Sequence, residues 1–116
     1  MQHGIEDSSV EWIINSPDKA PGFMIAKAGY DVWLGNNRGN DFSRRHVKLD
    51  PKQEVFWNFD FEEMGLYDVP ATIDFVLDKT KDSNTLKNKI AAYVGHSEGT
   101  TQMFIGASMK PDYYKE

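Results

Sequence analysis

Ile90-Ala91-Ala92-Tyr93-Val94-Gly95-His96-Ser97-Glu98-Gly99-Thr100-Thr101 is the stretch whose reading decides the fold. Five apolar or aromatic residues in succession read as a short strand buried on both faces, the kind found in a parallel sheet. Gly95 to Gly99 matches G-x-S-x-G, and Thr100 to Met109 reads as a helix. With Gly and Ser each at ~7% of residues, a chain of this length matches the pattern by chance roughly once in 25. The strand entering and the helix leaving carry more weight than the pentapeptide itself. A sharp strand-to-helix reversal holds Ser97 in a strained backbone conformation, while Gly95 and Gly99 lack the side chains that would collide across the turn. Ser97 Oγ is then exposed beyond the carboxyl end of the sheet. The N–H of Glu98 falls at a helix N-terminus, where partial positive charge favours an oxyanion. The competing reading is a glycine-rich turn with no chemistry.

Outward from this stretch, Tyr30-Asp31-Val32-Trp33-Leu34 is a second strand candidate, stopped by Gly35. Ser8 to Ile14 reads as a short helical segment capped by Ser8 or Ser9. Pro21 to Ala28 reads as a helix with Gly29 just past its end. Residues 35–53 form a long loop, a kind that is usually functional. Phe61 to Thr80 is expected to be helical, with Ile73, Val76 and Leu77 as its apolar stripe, Asp68 as a cap and Pro70 opening the main segment. Strands alternating with helices predict an α/β fold with parallel pairing, in one domain spanning residues 1–116.

The composition excludes several classes. A chain that is 40% hydrophobic and 27% charged is not wholly disordered. Thirteen Lys and Arg against eighteen Asp and Glu give a net charge of −5, which counts against a nucleic-acid partner or an electrostatic grip on anionic membrane. No apolar run approaches the ~18–20 residues of a transmembrane segment. There is no cysteine, so disulfides and Cys-based metal or redox sites are out. Asp31, Asp60, Glu62 and Glu63 show no metal-ligand spacing and read as solvated faces. Neither a metal nor a cofactor is expected.

A serine elbow needs a second amide for its oxyanion hole, commonly from a His-Gly loop earlier in the chain. His3-Gly4-Ile5 stands in the right order. The Ile5 N–H is the candidate donor, and Gly4 permits close backbone approach. His3 is expected to hold the loop by hydrogen bonding. His96, Gly95 and Gly99 support the elbow.

Taken together, these residues resemble the animal-type acid lipases, the lysosomal acid lipase and gastric lipase group of the α/β-hydrolase superfamily. The resemblance rests on Gln2-His3-Gly4, Ser8-Ser9 with Trp12, and Gly29 to Trp33 running into Gly35-Asn36-Asn37-Arg38-Gly39-Asn40. It continues through Ser43-Arg44, His46, Phe56-Trp57, Phe59, Glu63-Met64, Asp68-Val69-Pro70-Ala71 and Tyr93 to Thr101. It implies hydrolysis of lipid esters, triacylglycerols or cholesteryl esters, through a serine acyl-enzyme in a secreted or lysosomal setting. Ser97 would be the nucleophile, and the Ile5 and Glu98 amides the oxyanion hole. The family usually has Gln after the nucleophile. Glu98 preserves the backbone donor but places a carboxylate nearby.

An acyl-transfer serine also needs a base and an orienting acid, in the order Ser, Asp or Glu, His. Nineteen residues follow Ser97 and none is His. His3, His96 and His46 are poor substitutes, His46 reading as a solvated loop residue, and Asp112 is an unconvincing acid. Two strands and a stub ending at His3 cannot make the wide sheet of the family, so the expectation is an incomplete sheet in a fragment of a longer protein. The sequence MQHGIEDSSV has no signal-peptide character, which the fragment reading explains. The other reading is an inactive relative serving as a binding or assembly subunit, its uncovered sheet edges buried by a protein partner. An esterase or thioesterase with another acyl preference is a third. Trp12, Trp33, Phe56 and Trp57 are expected in the core rather than in a lipid groove, and Arg38 is expected to anchor its loop.

Overall fold

The computed structural model describes residues 1–83, 86 and 89–115. Its elements are mostly helical. A 3-10 turn, Ser9–Trp12, is capped by Ser8, whose side chain accepts from the Val10 N–H at 3.3 Å. It is shorter than the expected Ser8 to Ile14. Helix α1 (Pro21–Lys27) opens on its proline and ends before Gly29, which takes φ 97. Residues 35–53 hold no helix or strand, and an unanticipated 3-10 turn, Glu54–Trp57, follows.

The expected Phe61 to Thr80 helix is present as three continuous pieces: α2 (Phe61–Glu63), a π-helical turn (Met64–Asp68) and α3 (Val69–Thr80). Its cap is Asp60 rather than Asp68. The Asp60 carboxylate accepts from the Glu62 N–H at 2.8 Å, and Glu63 accepts from the Asp60 N–H at 2.9 Å, a capping box. Asp60 and Glu63 are therefore helix-start chemistry, not merely a solvated face. Asp68 lies inside the helical run, and its carboxylate receives Arg38. The π turn has a cause. Pro70 offers no N–H to the Leu66 carbonyl and would crowd it, so the backbone widens ahead of the proline. Lys110 Nζ donates to that Leu66 carbonyl at 2.6 Å.

Helix α4 (Glu98–Met109) begins two residues earlier than expected, and a short α5 (Pro111–Tyr114) follows. The π turn and α4 cross closely because Gly65 and Gly106 meet there. A β-carbon on Gly65 would lie 2.7 Å from the Gln102 carbonyl oxygen.

The two strands and the incomplete sheet are where expectation and structure part. Tyr30 to Leu34 and Ile90 to Val94 form no strand among the described residues. Each run is joined at one end to the segment Met1 to Gln2. The Met1 ammonium donates to the Trp33 carbonyl at 2.6 Å, and the Gly35 N–H to the Met1 carbonyl at 2.9 Å. Opposite them, Gln2 N–H donates to Val94 O at 2.8 Å and His96 N–H to Gln2 O at 3.1 Å. Gln2 and Gly95 make a parallel bridge. The remainder of both runs borders an open cavity of about 730 Å³, walled on its far side by Ile73 and Val76 of α3. Among the described residues neither run has a further ladder to join, and one hydrogen-bonded rung does not make a strand.

The core is correspondingly small: Trp12, Ala20, Phe56, Met64 and Val69. Trp57, expected inside, is 44% exposed and packs against Phe56, with ring centroids 4.9 Å apart. Trp33 is half-buried, edge-on to Phe75. Among the described residues, no helix is long and apolar enough to cross a membrane.

Candidate functional site

Ser97 sits between the Gly95 rung and the first residue of α4, with φ 49 and ψ −117. A non-glycine residue in this half of the backbone map costs about 1–3 kcal/mol and persists only where its surroundings over-determine it. They do so here. Gly99 N–H donates to His96 O at 2.8 Å, Thr100 N–H to Ser97 O at 3.0 Å, and the Thr100 hydroxyl to Ser97 O at 2.6 Å. A β-carbon on Gly95 would lie 2.8 Å from the Gly99 carbonyl carbon. One on Gly99 would run into the Gln2 and His3 carbonyl oxygens. Ser97 itself is exposed.

The segment His3 to Asp7 packs against this elbow. His3 is 1% exposed. Its Nε2 faces two donors, the Asn37 N–H and Asn40 Nδ2, each at 3.0 Å. Nε2 is therefore the acceptor, and the ring proton is on Nδ1, which donates to the Gly4 carbonyl at 2.7 Å. A β-carbon on Gly4 would sit 3.2 Å from both Ser97 Cβ and His96 Nδ1. Glu11 ties the loop to the elbow: its Oε2 accepts from the Gly4 N–H at 3.4 Å and lies 3.1 Å from His96 Nδ1. The Ile5 side chain is 61% exposed. The amides of Ile5 and Glu98 have no hydrogen-bond acceptor among the described residues. Glu6, next to Ile5, has φ 62; it and Ser97 are the two non-glycine residues with positive φ among the described residues. Strain of this kind clusters at functional sites.

Beneath the elbow the Glu98 side chain is buried. Its carboxylate accepts from Asn37 Nδ2 at 2.7 Å and from Gln102 Nε2. Burial pushes its pKa up, opposed by the hydrogen bonds from Gln102 and Asn37. The roles of Asn37, Gln102 and Glu11 at this site escape a reading of the sequence. Asn37 is marked only as part of the Asn36 to Asn40 block, and Gln102 only by lying four residues from Glu98 on one helix face.

The other candidates are placed apart from Ser97. His46 Nδ1 accepts from the Lys48 and Leu49 N–H groups at 3.1 and 2.9 Å, ordering its own loop. Asp112 pairs with Lys115 at 3.2 Å. Arg38 anchors its loop through a two-point contact with Asp68, at 2.7 and 2.5 Å. Among the described residues no imidazole or carboxylate is hydrogen-bonded to Ser97 Oγ, and no group of three His, Cys, Asp or Glu could hold a metal ion. The cavity of about 730 Å³ has Gln2 in its wall and does not include Ser97.

A family model described as alpha/beta hydrolase fold matches residues 1–115. The chain belongs to the alpha/beta hydrolase fold family. It is 47% identical over 116 residues to Lipase member K of Homo sapiens and 49% identical over 116 residues to Gastric triacylglycerol lipase of Rattus norvegicus. It is 44% identical over the same length to the "Putative lysosomal acid lipase/cholesteryl ester hydrolase" of Crotalus adamanteus. Each match takes in 100% of this chain and 28% of the relative's length. The resemblance to the acid lipase group is thus upheld across the whole chain. The α/β class holds for this chain at the level of the family, while its own described backbone is helices around a single parallel bridge.

Proposed function

We propose that this chain carries the nucleophile and oxyanion half of a lipid ester hydrolase acting through a serine acyl-enzyme. Ser97 Oγ attacks the ester carbonyl carbon, and the carbonyl oxygen takes up negative charge between the Ile5 and Glu98 amides. The C–O bond to the alcohol then breaks, the alcohol leaving with the proton that Ser97 gave up; water later releases the acid by the same route. The base that takes the serine proton and the acid that orients it lie outside these residues in this reading. Triacylglycerols or cholesteryl esters are the substrates, by likeness to the gastric and lysosomal-type relatives, and the setting is secreted or lysosomal on the same ground.

The observation that carries the proposal is the positive φ at Ser97, with two amides lacking acceptors beside it. Strain at an exposed serine has no evident structural use, whereas it is what presents a nucleophile. A second reading, an inactive relative that binds or assembles with a partner, is favoured by the absence of a base at Ser97 among the described residues and by the open cavity between the two extended runs.

A fluorophosphonate probe separates the two. Free imidazole is added to the 116-residue chain as a diffusing base in place of a triad histidine. The hydrolase reading expects Ser97 to be labelled, faster with imidazole, and Ser97→Ala to be silent. A folded chain that stays unlabelled at high imidazole favours the binding subunit.

A further inference from the structure

Asn37 stands in the loop after the Tyr30 to Leu34 run, 5% exposed, and joins both sides of the proposed oxyanion site. Its backbone N–H donates to His3 Nε2 at 3.0 Å, on the loop that carries Ile5. Its side-chain Nδ2 donates to Glu98 Oε2 at 2.7 Å. Its Oδ1 accepts from Gln2 Nε2 at 2.5 Å and from Gln102 Nε2 at 2.8 Å. The partners fix which end of the amide is which: an ionised carboxylate only accepts, and the two facing groups at the other end both donate.

Glu98 is the first residue of α4, so the contacts that hold its side chain also tie down the residue whose N–H is the proposed donor. Binding that carboxylate to Asn37 and Gln102 places its negative charge on the buried side of the elbow. A carboxylate free to swing beside the reacting carbonyl oxygen would oppose the charge developing there.

We propose that Asn37 is a positioning residue of the site: it sets the separation of the Ile5 and Glu98 amides and keeps the Glu98 carboxylate away from the reacting oxygen. This rests on the serine hydrolase reading. It makes a specific demand, because acid and amide can be exchanged across the contact without losing a hydrogen bond. When Asn37→Asp is combined with Glu98→Gln, the amide nitrogen now at position 98 donates to the carboxylate now at position 37. The amide oxygen at position 98 still accepts from Gln102. The second carboxylate oxygen at position 37 still accepts from Gln2 and Gln102.

The experiment compares fluorophosphonate labelling of Ser97, with imidazole, in the parent chain, Asn37→Asp and the exchanged double variant, with folding followed by circular dichroism. Asn37→Asp sets two carboxylates against each other and is expected to slow the maximal labelling rate roughly a hundredfold, with little change in the probe concentration at half-maximal rate. The double variant is expected to recover to within about fivefold of the parent, scaling from the worth of one restored charged hydrogen bond. A folded Asn37→Asp that labels at the parent rate overturns the proposal. So does a folded double variant left far below that recovery, and this second arm decides the matter if Asn37→Asp does not fold. Failure of the hydrolase reading looks different: the parent chain itself is unlabelled, and the positioning role falls with it.

Discussion

The elbow and the slot between the two extended runs both touch Gln2 and are built on opposite principles. At the elbow, Ser97 is held at a costly φ chiefly by hydrogen bonds within the turn, from the amides of Gly99, Thr100 and Thr101, and by glycines that a methyl group would jam. In the slot, Tyr30 to Leu34 and Ile90 to Val94 have strand-forming composition, yet among the described residues each finds one rung and then borders a cavity. A turn closes on its own atoms. A strand needs another strand, and β-propensity is largely the packing and pairing that a neighbour supplies.

Three substitutions sharpen that contrast. The largest effect is expected from Gly99→Ala, whose methyl meets the Gln2 and His3 carbonyl oxygens, rigid backbone rather than yielding side chain. A loss of about 3 kcal/mol is expected, or failure to fold, read by urea denaturation. A loss below about 0.5 kcal/mol, the scale of an ordinary surface change, would mean that the elbow is loose and the contrast false.

Next comes the charge beneath the elbow. Burial raises the Glu98 pKa in the folded chain above its unfolded value. Between the two values the folded state holds more protons, so the stability linked to this group is present below the unfolded pKa. It is lost as pH rises through the folded one. Thermal midpoints are therefore expected to favour Glu98→Gln over the parent more at pH 7 than at pH 4. A difference that does not change with pH would show that the carboxylate is not held in a dry environment.

The smallest effect belongs to the slot. Ala91→Ser, exposed on the cavity wall, is expected to shift stability by less than about 0.5 kcal/mol, measured by the same urea titration. A loss approaching that of Gly99→Ala would reveal pairing along the Ile90 to Val94 run.

The features that could be read from the sequence are those whose causes lie within a few residues. Pro21 and Gly29 bracket α1 because one lacks an amide hydrogen and the other tolerates φ 97. Gly95, Ser97 and Gly99 announce the elbow for the same kind of reason. Asp60 and Glu63 form a capping box three residues apart, legible in principle, although Pro70 draws the eye to Asp68 instead. The π turn is less accessible: Pro70 hints at it, but the Lys110 that takes the Leu66 carbonyl comes forty-four residues later.

By itself, the sequence determined the helix limits at proline and glycine, the strained serine turn and the resemblance to acid lipases, because these depend on local sterics and on motifs of fixed spacing. Only the tertiary structure decided that Glu11 meets His96, eighty-five residues away, that Arg38 meets Asp68, and that Asn37 meets Glu98. It also decided that, among the described residues, the two strand-like runs pair only at one end, with Met1 and Gln2. Contacts between distant residues are set by how the whole chain closes, and a polar side chain carries no mark of the partner it will find.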